Sequence, residues 1–431
     1  LNKDGVYSDA AGNELNPVFG YDVSEENYRF CVDAGINVVT IGHTRDGSKL
    51  KAQLDKLEEY GLYGLVCLYT NAYPCGYPDY VEATKKAVEE IKDHPALFGY
   101  AVQDEPSQVG DPVPWLITSY KTIRDIDRNH PVYAVESAVM YGYYKDVAKC
   151  VDIFAVDPYP ANRESYITFV SKCVKLAQTA VNYRKPVYSL LQTFDWRGFF
   201  PTGEQTRHMF YQSLLAGAHA VGYYTVSGIC KSEDLKEDVL NFGKNESKNA
   251  YDLFLNNKYI VINEENDDSS KVWYKIWEDE LNIYALVLNR DTGSAQAASI
   301  KLSGAAGEPL IAYGDASGSG AVLENGSLKV NLAVGGCVVY KMQNYGTGFE
   351  FTDLDSHLWA KEAIAELNRQ GILNSTGTNT YSPGENITRA DFAMFLIRTL
   401  GLKADDSVCF DDVDKNAYYA KEIAIGKKLG I

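Results

Sequence analysis

The sequence predicts a multidomain chain: a (β/α)8 TIM barrel, then an antiparallel β-sandwich, then an α-helical repeat region. Three observations carry this. Between about residues 16 and 228, eight short and nearly continuously apolar runs alternate with amphipathic helical runs, as parallel strands covered on both faces require. From about 259 to 343 the helical runs stop, and short alternating runs follow one another between Gly, Asn and Asp turns. Beyond 344 helical periodicity returns.

In the first region the strand-like runs are PVFGY, INVVTIG, YGLVCLYT, LFGYAVQDEP, PVYAVES, IFAVDPYP, PVYSLLQTF and VGYYTVS. Between them lie helical runs such as KLKAQLDKLEEYG and YVEATKKAVEEIKDH, with apolar residues at i, i+3 and i+4 and a closing Gly or Asn. Eight such units fit a closed barrel. A doubly wound open sheet is the competing arrangement, but it would carry a Gly-rich turn after its first strand, and none occurs. A polar link and a further helix, SKNAYDLFLNNKY, close this domain at 256. Residues 257–343 hold seven strand-like runs from SKVWYKIWED to CVVYKM, which predict the sandwich. Residues 344–431 begin with the linker QNYGTGFE and continue into helices.

Composition narrows the function. The 431 residues carry 41 Lys and Arg against 58 Asp and Glu, a formal charge of −17, with no long basic run. Such a chain is not built to bind nucleic acid. No run of eighteen apolar residues is present, so no membrane insertion is expected. The sequence opens LNKDGVYSDA without a Met or a signal segment, which is no argument for a cytoplasmic location. The eight cysteines form no CxxC pair; Cys31, Cys67, Cys150 and Cys173 fall in apolar-periodic segments and read as buried free thiols. Neither nucleotide-binding glycine motifs nor HExxH or calcium-loop patterns occur, so no cofactor and no metal is expected. The 32 tyrosines suit either sugar stacking or a sheet-rich chain.

Barrel chemistry sits at the C-terminal ends of the strands. Those positions hold His43 and Arg45 after strand 2, Tyr69, Asn71 and Tyr73 after strand 3, and Gln103, Asp104 and Glu105 after strand 4. Glu136 stands at strand 5, Asp157 and Tyr159 at strand 6, Gln192, Asp195 and Trp196 at strand 7, and Tyr224 at strand 8. Cleaving a glycosidic bond needs one protonated and one ionised carboxyl group, and aromatic faces hold sugar rings. The rim therefore reads as a carbohydrate site, with His43, Arg45, Asp104, Tyr159, Gln192, Asp195, Trp196 and Tyr224 as substrate contacts. Each carboxylate could instead cap a helix or pair with an Arg.

The segment GYAVQDEP resembles the strand-4 region of barrel glycosidases of the large retaining clan, where an Asn-Glu-Pro or Asp-Glu-Pro places the general acid. The likeness extends through VDIFAVDPYP and the aromatic eighth strand, and implies that Glu105 is the acid. That clan's nucleophile is a Glu at the end of strand 7, where this chain has Gln192. Three readings stay open. Glu105 works with Asp157 or Glu136; or strand 7 is placed a few residues off; or the barrel binds glycan without cleaving it. Carboxyl groups about 5 to 5.5 Å apart imply retention, and about 6.5 to 9.5 Å inversion.

The segment from Phe351 to residue 402, including Trp359, Ile364, Pro383 and ITRAD at 387–391, resembles one complete S-layer homology repeat; a second begins at 409 and stops at 431. Trp359, Ile364 and Leu367 are expected on one apolar stripe, and Phe392, Phe395 and Leu396 on another. Thr388 reads as a helix N-cap with Asp391 three residues on. The resemblance implies a bacterial cell-surface, extracellular location and binding of acidic secondary cell-wall polysaccharide through Arg389, with Thr388 and Asp391 beside it. Such repeats stack on neighbours, so the native chain is expected to continue. Three functions follow: a surface-anchored glycoside hydrolase, a noncatalytic glycan binder, or a structural layer protein.

Overall fold

The computed structural model describes residues 7–8, 14–70, 75–160, 167–196, 198–255, 259–279, 281–291, 293–302, 305–314, 319–344, 351–369, 372–374, 376, 380–400, 402, 410–415 and 417–431. Asn71, Tyr73 and Cys409 lie outside these.

All eight expected strands form: β1 (Val18–Gly20), β2 (Val38–Gly42), β3 (Tyr63–Cys67), β4 (Leu97–Asp104), β5 (Val132–Ser137), β6 (Ile153–Asp157), β7 (Val187–Gln192) and β8 (Ala220–Tyr224). They close into a parallel barrel in chain order. The seam is β8, whose Val221 faces Val18 on one side and Ser189 on the other. Inward side chains fill the barrel: the Phe19 ring lies 5.3, 6.2 and 5.0 Å from those of Phe98, Tyr133 and Tyr188. Outward side chains meet a ring of helices: α1 (Tyr28–Asp33), α2 (Gly47–Glu59), α3 (Val81–Ile91), α4 (Val113–Arg124), α5 (Tyr144–Ala148), α6 (Phe169–Ala180) and α7 (Gly203–Leu215). In α2, Asp46 caps the first turn by accepting from Lys49 N, and Leu50, Leu54 and Leu57 form the fully buried stripe.

The stretch read as a polar link is helical. α8 (Val226–Cys230) is capped by Thr225 and α9 (Glu233–Phe242) by Ser232, each hydroxyl accepting a backbone N–H; α10 (Lys248–Leu255) follows. Only Leu235 and Val239 of α9 are buried, too thin a stripe to show in a segment rich in charge.

The strands that follow are β9 (Ile260–Glu265), β10 (Val272–Glu278), β11 (Asn282–Asn289), β12 (Gln296–Lys301), β13 (Ala305–Tyr313), β14 (Gly320–Glu324), β15 (Ser327–Leu332) and β16 (Cys337–Asn344). They make a five-stranded sheet, β9-β10-β11-β16-β13, and a three-stranded one, β12-β15-β14. β9 was not among the expected strands. It is an edge strand whose Ile260, Val261 and Ile262 are exposed.

The chain forms two compact units, and the first holds the barrel with most of these strands. The boundary expected at 256 therefore falls inside one unit. Buried polar ties explain this. Arg207 of α7 donates to both Glu246 oxygens, at 2.6 to 2.9 Å, and to Cys337 O; Tyr211 Oη donates to Glu246 Oε1 at 2.6 Å. His208 Nε2 donates to Asn289 O at 3.0 Å, while its Nδ1 accepts from Gln212 Nε2 at 2.7 Å.

The second unit includes α11 (Leu358–Arg369), α12 (Arg389–Thr399) and α13 (Ala420–Leu429). Phe351, Leu354, Ile364, Ile372 and Leu373 form its core, and the Asp353 carboxylate accepts from Tyr381 N and Ser382 N. The expected stripes need correction. Trp359 is 87% and Phe392 60% exposed. The stripe of α11 is Ala360, Ile364 and Leu367, one residue on from Trp359. In α12 the buried pair is Met394 and Ile397, and Phe392, two residues away, falls on the opposite side.

The seven described cysteines are free and six of them buried, among these Cys31, Cys67, Cys150 and Cys173, as the apolar periodicity of those four segments predicts. No helix among the described residues is long and apolar enough to cross a membrane.

Candidate active site

Glu105 directly follows β4 with φ 41° and ψ 58°, a left-handed conformation that is costly for a side chain with a Cβ. It is held there by its own N–H, which donates to Val135 O at 2.9 Å, and by Pro106, which opens a 3-10 turn. Its carboxylate accepts from Gln108 Nε2 at 2.6 Å.

Asp157 ends β6 and is 5% exposed. Its Oδ1 accepts from Ala138 N at 3.0 Å, and its carboxyl feels the charge of Glu105. Burial first, then the neighbouring Glu105 and Asp104, hold the Asp157 carboxyl well above the usual carboxylate range.

Asp104 opens on the cleft. Enclosure by surrounding protein, then the charges of Glu105 and Glu136, raise its carboxyl to about 6. Gln103, 3% exposed, donates from Nε2 to Asp104 O at 3.0 Å, and its Oε1 has no donor among the described residues.

Glu136 is fully buried and does not reach the cleft. It accepts from Ser107 Oγ at 2.7 Å, Ser107 N at 3.1 Å and Ser137 N at 2.8 Å. Those three donors leave it holding the turn after Glu105 rather than meeting a substrate, a correction to the expectation that it could be the catalytic partner. Arg45 does not pair with a rim carboxylate. It stacks 4.0 Å over the Tyr80 ring, and its Nε and Nη2 have no acceptor among the described residues. Gln192 is fully buried and bridges Phe194 O and Phe199 O at 3.1 and 3.0 Å, so it shapes the loop after β7 and does not line the cleft. Asp195 accepts from Gly198 N at 2.8 Å within that same loop.

The cleft itself encloses about 770 Å³ and is lined on the β1 to β4 side, with Tyr224 closing it from β8. His43 stands on the edge of Tyr69 at 5.1 Å; burial lowers its imidazole and nearby Asp22 opposes the shift. Tyr224 stacks on Tyr159 at 5.6 Å, and Phe194 joins Tyr224 to Trp196. Sequence reasoning missed Asp22, whose carboxylate accepts from Ser227 Oγ and which lines the cleft. The signal was present: an acidic residue directly after the PVFGY strand.

Among the described residues, Asp55, Glu58 and His94 could gather round a metal. Ala96 N donates to His94 Nδ1 at 3.1 Å, which puts the ring proton on Nε2, facing Asp55 at 3.0 Å. Lys51 also pairs with Asp55 at 2.8 Å, so the group reads as a surface ion-pair cluster.

In the second unit Thr388 caps α12, accepting from Asp391 N at 3.0 Å and donating to Asp391 Oδ2 at 2.6 Å. Tyr418 Oη donates to Asp391 Oδ1 at 2.5 Å. Asp391 and Tyr418 border a hollow of about 440 Å³ that also includes Asn374, Tyr381 and Glu385. Arg389 is exposed beside it and makes no ion pair among the described residues.

Residues 350–393 match the S-layer homology domain family. The chain carries an S-layer homology domain. Such a domain marks anchoring at the cell surface. Over 89 residues the chain is 32% identical to an endoglucanase of Bacillus sp. (strain KSM-635), a match taking in 21% of this chain and 9% of that protein. Over 85 residues it is 34% identical to endo-1,4-beta-xylanase A of Thermoanaerobacterium saccharolyticum, taking in 20% and 7%. The chain thus spans less than a tenth of these curated relatives. A solved glycoside hydrolase aligns with a TM-score of 0.53 at 15% identity, over 80% of this chain and 96% of that one, which establishes the shared barrel fold.

Proposed function

We propose that this protein is a cell-surface glycoside hydrolase, carried by its S-layer homology domain on secondary cell-wall polysaccharide. One observation carries the reading: Asp104 and Glu105 line a sugar-sized cleft at the C-terminal rim, with the buried Asp157 carboxyl beside them. Glu105 serves as the acid toward the leaving oxygen, and Asp157, buried and holding a high proton affinity, backs it. Asp104 is ionised above about pH 6 and opens on the cleft, where it serves as base toward a water or faces the developing positive charge of the sugar. Tyr224, Tyr159 and Trp196 offer aromatic faces, and His43 a neutral hydrogen-bonding ring. Arg389, Thr388 and Asp391 contact the wall polymer.

Gln192 favours a second reading, a barrel that binds glycan without cleaving it, since β7 ends in an amide held by its own loop. A reducing-sugar release screen over a glycan panel, run on the full chain and on Glu105→Gln, separates the two. The hydrolase reading expects release by the parent and its loss in the variant. Equal release by both sinks the role of Glu105, and binding with no release on any glycan supports the second reading.

A further inference from the structure

On the reading of the barrel rim as a glycan site, whether the glycan is cleaved there or only held, we infer that Gln192 is a positioning residue: its amide clamps the hairpin after β7 and so fixes Trp196 as a stacking surface for a sugar ring. Gln192 is fully buried. Its Nε2 donates to Phe194 O at 3.1 Å and to Phe199 O at 3.0 Å. Those carbonyls stand on the two arms of the hairpin, so a single amide spans its neck. The two N–H groups of the amide serve one carbonyl each. Turning the amide over would set its oxygen against two carbonyl oxygens, and the network therefore fixes its orientation.

The hairpin itself is short and closed twice. Trp196 N donates to Phe199 O at 3.0 Å, and Phe199 N to Trp196 O at 3.1 Å. Gly198 turns the chain between them at φ 82°, where a Cβ would be strained, and its N–H donates to Asp195 Oδ1 at 2.8 Å. Phe199 O thus accepts from both Trp196 N and Gln192 Nε2, so the clamp acts on the bond that places the Trp196 backbone. Below the hairpin, Thr193 N donates to Tyr224 O at 2.8 Å and Thr193 Oγ1 to Thr225 O at 3.1 Å, which ties this strand end to β8.

A run of rings joins the hairpin to the cleft. Phe194 lies 5.2 Å from Tyr159, 5.5 Å from Tyr224 and 5.9 Å from Trp196, meeting each edge to face. Tyr224 lines the cleft, and Trp196, at the outer end of the run, is 42% exposed. An indole offers a sugar ring a large apolar surface. Stacking yields most affinity where that surface is already in place, because ordering a loose loop on binding offsets the gain. Gln192 therefore contributes to glycan affinity without touching the glycan. A carboxylate at this position would face the two carbonyls with acceptors alone, so the hairpin as built requires the amide that ends β7.

The test is a double-mutant cycle, read by calorimetric titration of the full chain carrying Glu105→Gln to block turnover. The probes are cellotetraose, xylotetraose, mannotetraose and maltotetraose, and at least one of them should bind. For that probe Trp196→Ala should weaken affinity about tenfold and Gln192→Met about fivefold, while the two together should cost no more than Trp196→Ala alone. Asp195→Ala, an exposed change in the same hairpin, should cost about threefold and likewise nothing once Trp196 is gone; it carries the test should Gln192→Met fail to fold. Losses that multiply, an affinity untouched by loosening the hairpin, or no binding of any probe overturn the inference. Reducing-sugar release by the parent chain that disappears with Glu105→Gln keeps the hydrolase reading in place whichever way the cycle falls.

Discussion

The carboxyls of Glu105 and Asp157 come from strands two places apart in the barrel, and the buried Asp157 carboxyl feels the charge of Glu105. Neither strand could bring them together alone. Glu105 leaves β4 through a left-handed turn, while Asp157 stays on its strand with Ala138 N fixing its far oxygen. Burial first, then the charges of Glu105 and Asp104, give the Asp157 carboxyl its high proton affinity.

Replacing Asp157 with Asn removes a buried carboxyl that stands beside Glu105 and accepts the Ala138 N–H. We expect turnover to fall by about 10²-fold or more. Rates measured on any cleaved glycan check this, and an unchanged rate would contradict a part for Asp157 in the chemistry.

His208 ties the pH dependence of stability to a buried neutral ring. Burial first, then Arg207 and Arg290, lower it from 6.5 to about 4 despite its bond to Asn289 O. Between those values the unfolded chain binds more protons than the folded one, so stability rises with pH across the window. The contribution is complete above about 6.5 and is lost as pH falls through about 4, roughly 3 kcal/mol in all. His208→Gln should flatten the slope of Tm against pH in that interval, read by scanning calorimetry.

Glu246 is the anion beneath Arg207, with side-chain exposures of 8% and 13%. Glu246→Ala leaves a buried guanidinium and the Tyr211 hydroxyl without their acceptor. A loss of about 3 to 5 kcal/mol is expected, seen as a lower midpoint in denaturant for the unit that holds the barrel. Glu233→Ala, at the exposed start of α9, should change it little.

In the S-layer homology domain, cap and contact are separable. Thr388→Ala should cost about 1 kcal/mol by leaving Asp391 N without its acceptor. Arg389→Ala should leave thermal unfolding unchanged, because the side chain is exposed, and weaken co-sedimentation with purified cell wall by about tenfold. The converse pattern would make Thr388 the contact and Arg389 the structural residue.

The barrel was legible because a strand buried on both faces has no room for polar residues, and VVTIG or IFAVD can hardly be anything else. β9 was not, since an edge strand with exposed residues lacks the pattern, and α9 hides a two-residue stripe among charges. In the site, Glu105 and Asp157 were placed by strand ends alone. Their approach to each other was not readable, because it depends on a backbone turn that no periodicity reports. Glu136 shows the reverse limit: its place on β5 was right, but burial and the Ser107 bonds decide its role. Asp22 needed only the same rule applied one strand earlier.

The Arg207 and His208 ties set how this protein can be cut and recombined. A gene fusion that lifts out residues 1–256 would separate Arg207 from the Cys337 carbonyl and His208 from the Asn289 carbonyl. The excised piece would keep every rim residue and lose the support beneath α7. The heritable cassette is thus the barrel together with its following strands, so shuffling of barrel and anchoring parts among surface proteins has its permissible seam after β16, beyond residue 344, rather than at the end of α10.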